Sequence, residues 1–137
     1  MITLFVTGLS HKNAPVALRE QLAVEEDKLR ELLRDIQVTG VVEEALILST
    51  CNRVEVYGVA EVPGEARTVA FHRLCRYRGI DPGTVDPLLY THLDTDAVRH
   101  AFRVASSLDS MMVGESQILG QVKDAFALAQ ACEGVGP

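Results

Sequence analysis

Three cysteines and four histidines are the side chains of this chain best suited to attack a carbonyl or move a proton near neutral pH. A cysteine attacks as its thiolate, and a nearby cation or imidazole is what favours that form. Cys51 has the cation in sequence, since Arg53 stands two residues on, with Thr50 and Asn52 on either side of the thiol. His100 could approach Cys51 only through the fold. On spacing alone Cys51 reads first as a small buried hydrophobe at a strand end, and His100 as a solvated histidine on a helix. Arg53 could equally pair with Glu55. Gln117 and Gln121, one helical turn apart, read as a polar flank, and Glu115 as a first-turn acid favoured by the helix dipole. Cys75 and Cys132 fit the apolar faces of helices and read as packing residues.

Several chemistries are excluded. There is no CxxC pair and no zinc-like spacing of histidine against cysteine, so reduced thiols and no structural metal are expected. Neither GxGxxG nor GxxxxGK[ST] occurs, so the chain carries no nucleotide site of those kinds. A net charge of −6 argues against a broad basic face for nucleic acid, although His72, Arg73 and Arg76 form a local cluster. No apolar run reaches the length of a membrane helix, and the apolar start lacks a basic leader, so a cytoplasmic location is the expectation.

The elements that must position these groups follow from periodicity. The chain has 137 residues, 47% of them apolar and 23% charged, which suits one domain with a real core. Residues 2–9 predict a strand, and Pro15 can open a short helical turn. Leu29, Leu32, Leu33 and Ile36 give one apolar face to a helix over about residues 24–38, ended by Gly40. Residues 45–49 and 54–60 predict neighbouring strands joined by the segment that contains Cys51, an exposed and rigidly supported place to mount chemistry. A helix over about 65–78 follows, with Ala70, Phe71, Leu74 and Cys75 inward, and then a short extended piece over 84–90. From Asp94 a helix places Val98, Ala101, Phe102 and Ala105 on its buried stripe and turns His100 away from it. A last helix spans about 115–132, with Ile118, Val122, Ala125, Phe126 and Ala129 apolar. The expected class is α+β: a small, mostly antiparallel sheet with helices packed on one side, in a ferredoxin-like arrangement.

Three segments resemble the glutamyl-tRNA reductase family. They are residues 8–16 (GLSHKNAPV) with Arg19 and Glu20, residues 49–57 (STCNRVEVY), and residues 100–123 (HAFRVASSLDSMMVGESQILGQVK). They fall in the family's order and together span nearly the whole chain. Small departures are Asn13, where the family often has threonine, and Ser107, where it often has glycine. The resemblance implies that Cys51 attacks the ester joining glutamate to its tRNA and holds glutamate as a thioester. Hydride from NADPH then yields glutamate-1-semialdehyde, the entry to tetrapyrrole synthesis. His100 takes a supporting acid–base or orienting role. Thr50, Asn52, Arg53, Ser110, Glu115, Ser116, Gln117 and Gln121 bind the glutamyl group, with Arg53 suited to its side-chain carboxylate and Glu115 to its α-ammonium.

The same resemblance divides the chain and assigns its partners. Residues 1–132 form the catalytic, substrate-binding domain, and residues 133–137 begin a linker to a separate NADPH-binding domain. The partner is glutamyl-tRNA, and the full-length enzyme is expected to dimerise through a C-terminal region. Without its NADPH domain this segment would retain capture or slow esterase activity only. Two other readings compete: a stand-alone cysteine acyltransferase or hydrolase, and a non-catalytic tRNA-binding module that uses His72, Arg73 and Arg76.

Overall fold

A computed structural model describes residues 2–50 and 52–106, apart from the side chains of Glu26, Ala105 and Ser106. The elements are strand β1 (Thr3–Ser10), helices α1 (Val16–Leu22) and α2 (Glu26–Val38), strands β2 (Glu44–Ser49) and β3 (Arg53–Ala60), and helix α3 (Pro63–Tyr77). A short helix α4 (Pro82–Val85), a 3-10 turn (Asp86–Leu88), strand β4 (Tyr90–Leu93) and helix α5 (Asp94–Ser106) complete them. The sheet runs β2-β3-β1-β4, and every neighbouring pair is antiparallel. This is the β-α-β-β-α-β order of the ferredoxin-like arrangement, so the expected α+β class is the observed one.

Alternation along the strands gives the sheet two different faces. Phe5 and Leu9 of β1, Ala45 and Ile47 of β2, and Val54 and Val56 of β3 point to one side and are buried there. That side packs against Leu29, Leu32, Leu33 and Ile36 of α2 and Ala66, Ala70, Phe71, Leu74 and Cys75 of α3, forming the main core. These are the faces that helical spacing predicts. Gly40 takes φ +75° just beyond α2, a left-handed conformation that glycine adopts without a Cβ penalty. At Gly8 the reason for glycine is room, because a Cβ there would run into the Val54 carbonyl and the Glu55 backbone of β3.

The second face differs from expectation. Helices α1 to α3 pack on one side as predicted, but α5 lies across the other, where Val104 meets Leu48, Leu46 and Tyr57. The buried residues of α5 are Ala97, His100 and Val104, whereas Val98 is 42% and Phe102 71% exposed. The expected stripe of Val98, Ala101 and Phe102 is therefore not the buried one. His100, expected to point to solvent, is 8% exposed. Apolar spacing chose the wrong stripe because the sheet offers a carboxylate there, and a histidine that bonds it displaces the hydrophobic register.

The extended piece expected over 84–90 is mostly helical. The Asp81 carboxylate accepts a hydrogen bond from Gly83 N at 3.1 Å, and Pro82 occupies the first turn of α4, so capping overrides the extended preference. Only from Tyr90 does the chain join the sheet, as an edge strand beside β1. The predicted helix over 115–132, Cys132 and residues 133–137 lie outside the described residues.

Candidate active site

The connection between β2 and β3 is held by one side chain. The Thr50 hydroxyl accepts hydrogen bonds from the backbone N–H groups of Asn52 and Arg53, both at 3.1 Å, and Thr50 N donates to Arg53 O at 2.8 Å. A threonine hydroxyl closing its own turn in this way fixes the backbone on both sides of residue 51. Cys51 itself lies outside the described residues. Replacing Thr50 by valine strands the two N–H groups and is expected to cost about 1–3 kcal/mol. Urea titration of Thr50→Val against Thr50→Ser checks this, and equal midpoints for the two variants would show that the hydroxyl does not hold the turn.

The loop after β1 is tied to the same turn. His11 N donates to Asn52 O at 2.8 Å, and Asn13 holds the loop in shape by accepting from Ser10 N at 2.9 Å. The His11 ring sits with Nδ1 buried and without a hydrogen-bond partner among the described residues. Burial, followed by the charges of Arg53, Arg19 and Lys12, holds His11 below the usual histidine pKa and so neutral at pH 7.

The centre of the site is Glu55, fully buried on the sheet face beneath α5. Tyr57 donates its hydroxyl to Oε1 at 2.9 Å. Oε2 takes Tyr90 OH, His100 Nε2 and, at 3.4 Å, Arg53 Nη1. Burial alone would raise the carboxyl pKa, but the bond and charge of His100, the bond from Tyr90 and the Arg53 charge outweigh it, so the group is held below its ordinary value. Burial and the same carboxylate push the hydroxyls of Tyr57 and Tyr90 upward, keeping both protonated as donors. His92 stacks on His100 with ring centroids 4.6 Å apart and an interplanar angle of 28°. Burial and the neighbouring His100 lower the His92 pKa.

Arg53 and His100, 47 residues apart in sequence, thus meet on a single carboxylate oxygen. The Thr50 hydroxyl is engaged in the turn. Asn52 contributes its carbonyl to His11 and its N–H to Thr50. Ser110, Glu115, Ser116, Gln117 and Gln121 lie outside the described residues. Sequence reasoning offered Glu55 only as a pairing partner for Arg53, which it is, and missed its central place in the site along with Tyr57, Tyr90 and His92. A signal for Glu55 and Tyr57 exists: in RVEVY the polar Arg53, Glu55 and Tyr57 alternate with buried Val54 and Val56, which puts all three on one strand face. Tyr90 and His92 join only through the pairing of β4 with β1.

Elsewhere the structure is quieter. Cys75 is fully buried, and burial pushes its thiol up to about 11, so it is a packing residue as expected. His72 already meets Asp86 and Arg73 meets Asp35, each at 3.1 Å, which takes two of the three groups out of the basic cluster. Among the described residues no set of three or more His, Cys, Asp or Glu side chains could hold a metal ion, and no helix is long and apolar enough to cross a membrane.

Comparison with known proteins decides the family. The family model described as "Glutamyl-tRNAGlu reductase, N-terminal domain" matches residues 7–137. The chain belongs to the glutamyl-tRNA reductase N-terminal domain family. It is 48% identical over 129 residues to the glutamyl-tRNA reductase of Solibacter usitatus, covering 94% of this chain and 31% of that protein. It is 50% identical over 127 residues to glutamyl-tRNA reductase 2 of Koribacter versatilis, covering 93% of this chain and 28% of that one. The solved glutamyl-tRNA reductase from Methanopyrus kandleri superposes with a TM-score of 0.71 at 34% identity, over 96% of this chain and 29% of that structure. The chain therefore spans about 30% of the length of the reductases it matches.

Proposed function

We propose that this domain performs the capture half of glutamyl-tRNA reduction, moving the glutamyl group of glutamyl-tRNA from its ester onto Cys51. The Cys51 sulfur bonds the ester carbonyl carbon, the carbon–oxygen bond to the tRNA ribose breaks, and the thiol proton ends on the departing oxygen. A thiol suits the task because it exchanges readily with an activated ester. The observation that carries this reading is the convergence of Arg53 and His100 on the buried Glu55 carboxylate, beside the turn that contains Cys51. Glu55 fixes the ring of His100, which supports proton transfer. Among the described residues Arg53 uses only Nη1 in its hydrogen bonds, which leaves other donors of its fork for the substrate's side-chain carboxylate. Ser110, Glu115, Ser116, Gln117 and Gln121 complete the grip on the glutamyl group in this reading.

The described residues offer NADPH little. Among the described residues the groove beside α5 is lined by apolar side chains with Glu44 as the one charged group, so these residues offer a dinucleotide's phosphates no cation. No glycine-rich phosphate loop occurs in the sequence. The tRNA-binding module without chemistry loses support from the pairing of His72 and Arg73 with acids.

Mass spectrometry after incubation with glutamyl-tRNA tests capture directly. The expected result is a glutamyl adduct on the parent chain that is absent from Cys51→Ser. An unmodified parent that still binds tRNA would refute the proposal and favour the binding module.

A further inference from the structure

We propose that His92 is a positioning residue for His100: its flat ring, stacked on the His100 imidazole, holds that ring in the plane where Nε2 meets Glu55 and Nδ1 is the nitrogen left to accept a proton. The placement follows from the sheet. In the antiparallel register His92 stands opposite Val6 of β1, which stands opposite Tyr57 of β3, and the neighbouring row on the same face runs Tyr90, Gly8, Glu55. His92, Tyr90, Glu55 and Tyr57 therefore share the face that α5 crosses. Gly8, without a side chain, leaves the space over β1 in which the Tyr90 hydroxyl and the Glu55 carboxylate meet. Into this cluster α5 brings His100, whose ring centroid lies 4.6 Å from that of His92 at an interplanar angle of 28° and 5.2 Å from that of Tyr90 at 53°.

A carboxylate only accepts, so His100 Nε2 carries a hydrogen towards Glu55, and the neutral ring keeps its lone pair on Nδ1. That bond anchors the ring at one nitrogen and leaves rotation about it, since the terminal torsion of a histidine is broad. A flat partner on the ring face restrains the rotation, and of the two neighbours His92 is the more nearly parallel. The charge of the partner matters as well. Among the described residues the charged groups that act on His92 are His100, Asp96 and Arg103 of α5 and Glu55 of β3. Burial first, then the cations His100 and Arg103, outweigh the two acids and hold the His92 pKa below the usual histidine value, so at pH 7 it presents an uncharged face. An uncharged aromatic ring attracts a cation set over it, which favours the imidazolium that His100 becomes on taking a proton. As pH falls and His92 charges too, two stacked cations repel and the pose is lost. A phenyl ring could do what His92 does at pH 7, and an aliphatic side chain could not.

The catalytic consequence rests on the capture reading above, whereas the pose of His100 is read without tRNA. In the 137-residue chain carrying isotope-labelled histidine, long-range proton–nitrogen spectra from about pH 5 to about pH 8 report the tautomer and charge of each ring. The parent and His92→Phe, which keeps a flat uncharged ring, are expected to show His100 with hydrogen on Nε2. His92→Leu, which fills the space without a flat ring, should show exchanging tautomers. In the parent the His100 pattern should break down in acid as His92 titrates, and in His92→Phe it should persist to lower pH. Glutamyl adduct formation at pH 7 should fall at least roughly tenfold in His92→Leu and stay within about threefold of the parent in His92→Phe. If His92→Leu, folded by circular dichroism, keeps the parent's His100 tautomer, His92 positions nothing. A loss of capture in His92→Phe as large as in His92→Leu would also overturn the proposal, because the stacked ring would then not be what counts. If the parent forms no adduct while His92→Leu still scrambles the tautomers, capture is overturned and His92 stands as the group that poses His100.

Discussion

Glu55→Ala is expected to destabilise the chain by about 3–5 kcal/mol, because it removes one partner of a buried ion pair and leaves the other groups unpaired. The hydroxyls of Tyr57 and Tyr90, the Arg53 guanidinium and the His100 imidazole all converge on that carboxylate. Glu55 has zero exposure, so bulk solvent does not reach these groups in the folded parent. Glu55→Gln keeps the shape but presents an amide N–H to groups that are already donors, so a smaller loss is expected. Urea unfolding with an unchanged m-value measures both, and a midpoint for Glu55→Ala close to the parent's would show that the cluster contributes little.

The same carboxylate sets an acid limb. Its pKa in the folded chain lies below the ordinary value of 4.5, so the unfolded chain binds the proton first as pH falls. Stability from Glu55 is therefore fully present above about pH 4.5 and is lost as pH drops through the lower folded value. The stability gap between the parent and Glu55→Gln should narrow over that acid range. A gap constant down to the point of acid unfolding would contradict the depressed pKa. Because Glu55 holds His100 by Nε2, both substitutions should also slow glutamyl capture relative to parent, with Cys51 still present.

Phe71→Ala probes the opposite face of the sheet. Phe71 is one of the largest fully buried side chains, seated where α3 covers the sheet. Deleting a buried phenyl ring removes its transfer free energy and opens a cavity that helices anchored at both ends cannot fill, for about 3–5 kcal/mol. For a domain of this size the melting temperature should fall by more than roughly 10 °C. Calorimetry checks it, and a drop below about 3 °C would mean that the core relaxes around the loss. The Glu55 cluster lies on the other side of the sheet, so the pH dependence of stability should survive Phe71→Ala while the total stability falls.

How much of this was legible in advance depends on which forces set each feature. Helices α2 and α3 were readable because their cores are purely apolar: Leu29, Leu32, Leu33 and Ile36, or Ala70, Phe71, Leu74 and Cys75, recur at helical spacing and bury where that spacing points. Strand β2 was readable as a short apolar run and β3 from alternation, and the turn between them from its residue types. Helix α5 was readable as a helix from Asp94, but its buried face was not, since that face is polar at the centre. His100 reaches a carboxylate supplied by β3, and hydrophobic spacing has no means of scoring such a bond. The 84–90 segment failed for a related reason, a local cap at Asp81 that outweighed extended propensity.

The proposed nucleophile Cys51, its flanks Thr50, Asn52 and Arg53, and His100 were all singled out by resemblance to the reductase family, whereas spacing alone favoured a packing role for Cys51. Those are properties of short contiguous segments, where residue type and order carry the information. Tertiary structure alone decided that His100 and Tyr90 join Arg53 and Tyr57 on Glu55, because antiparallel pairing of β1 with both β3 and β4 brings residues 53, 90 and 100 to one face. Tertiary structure alone also set His11 against Asn52, with a ring nitrogen that has no partner among the described residues. Contacts between segments so far apart arise from the closing of the sheet, and no local pattern in the chain encodes them.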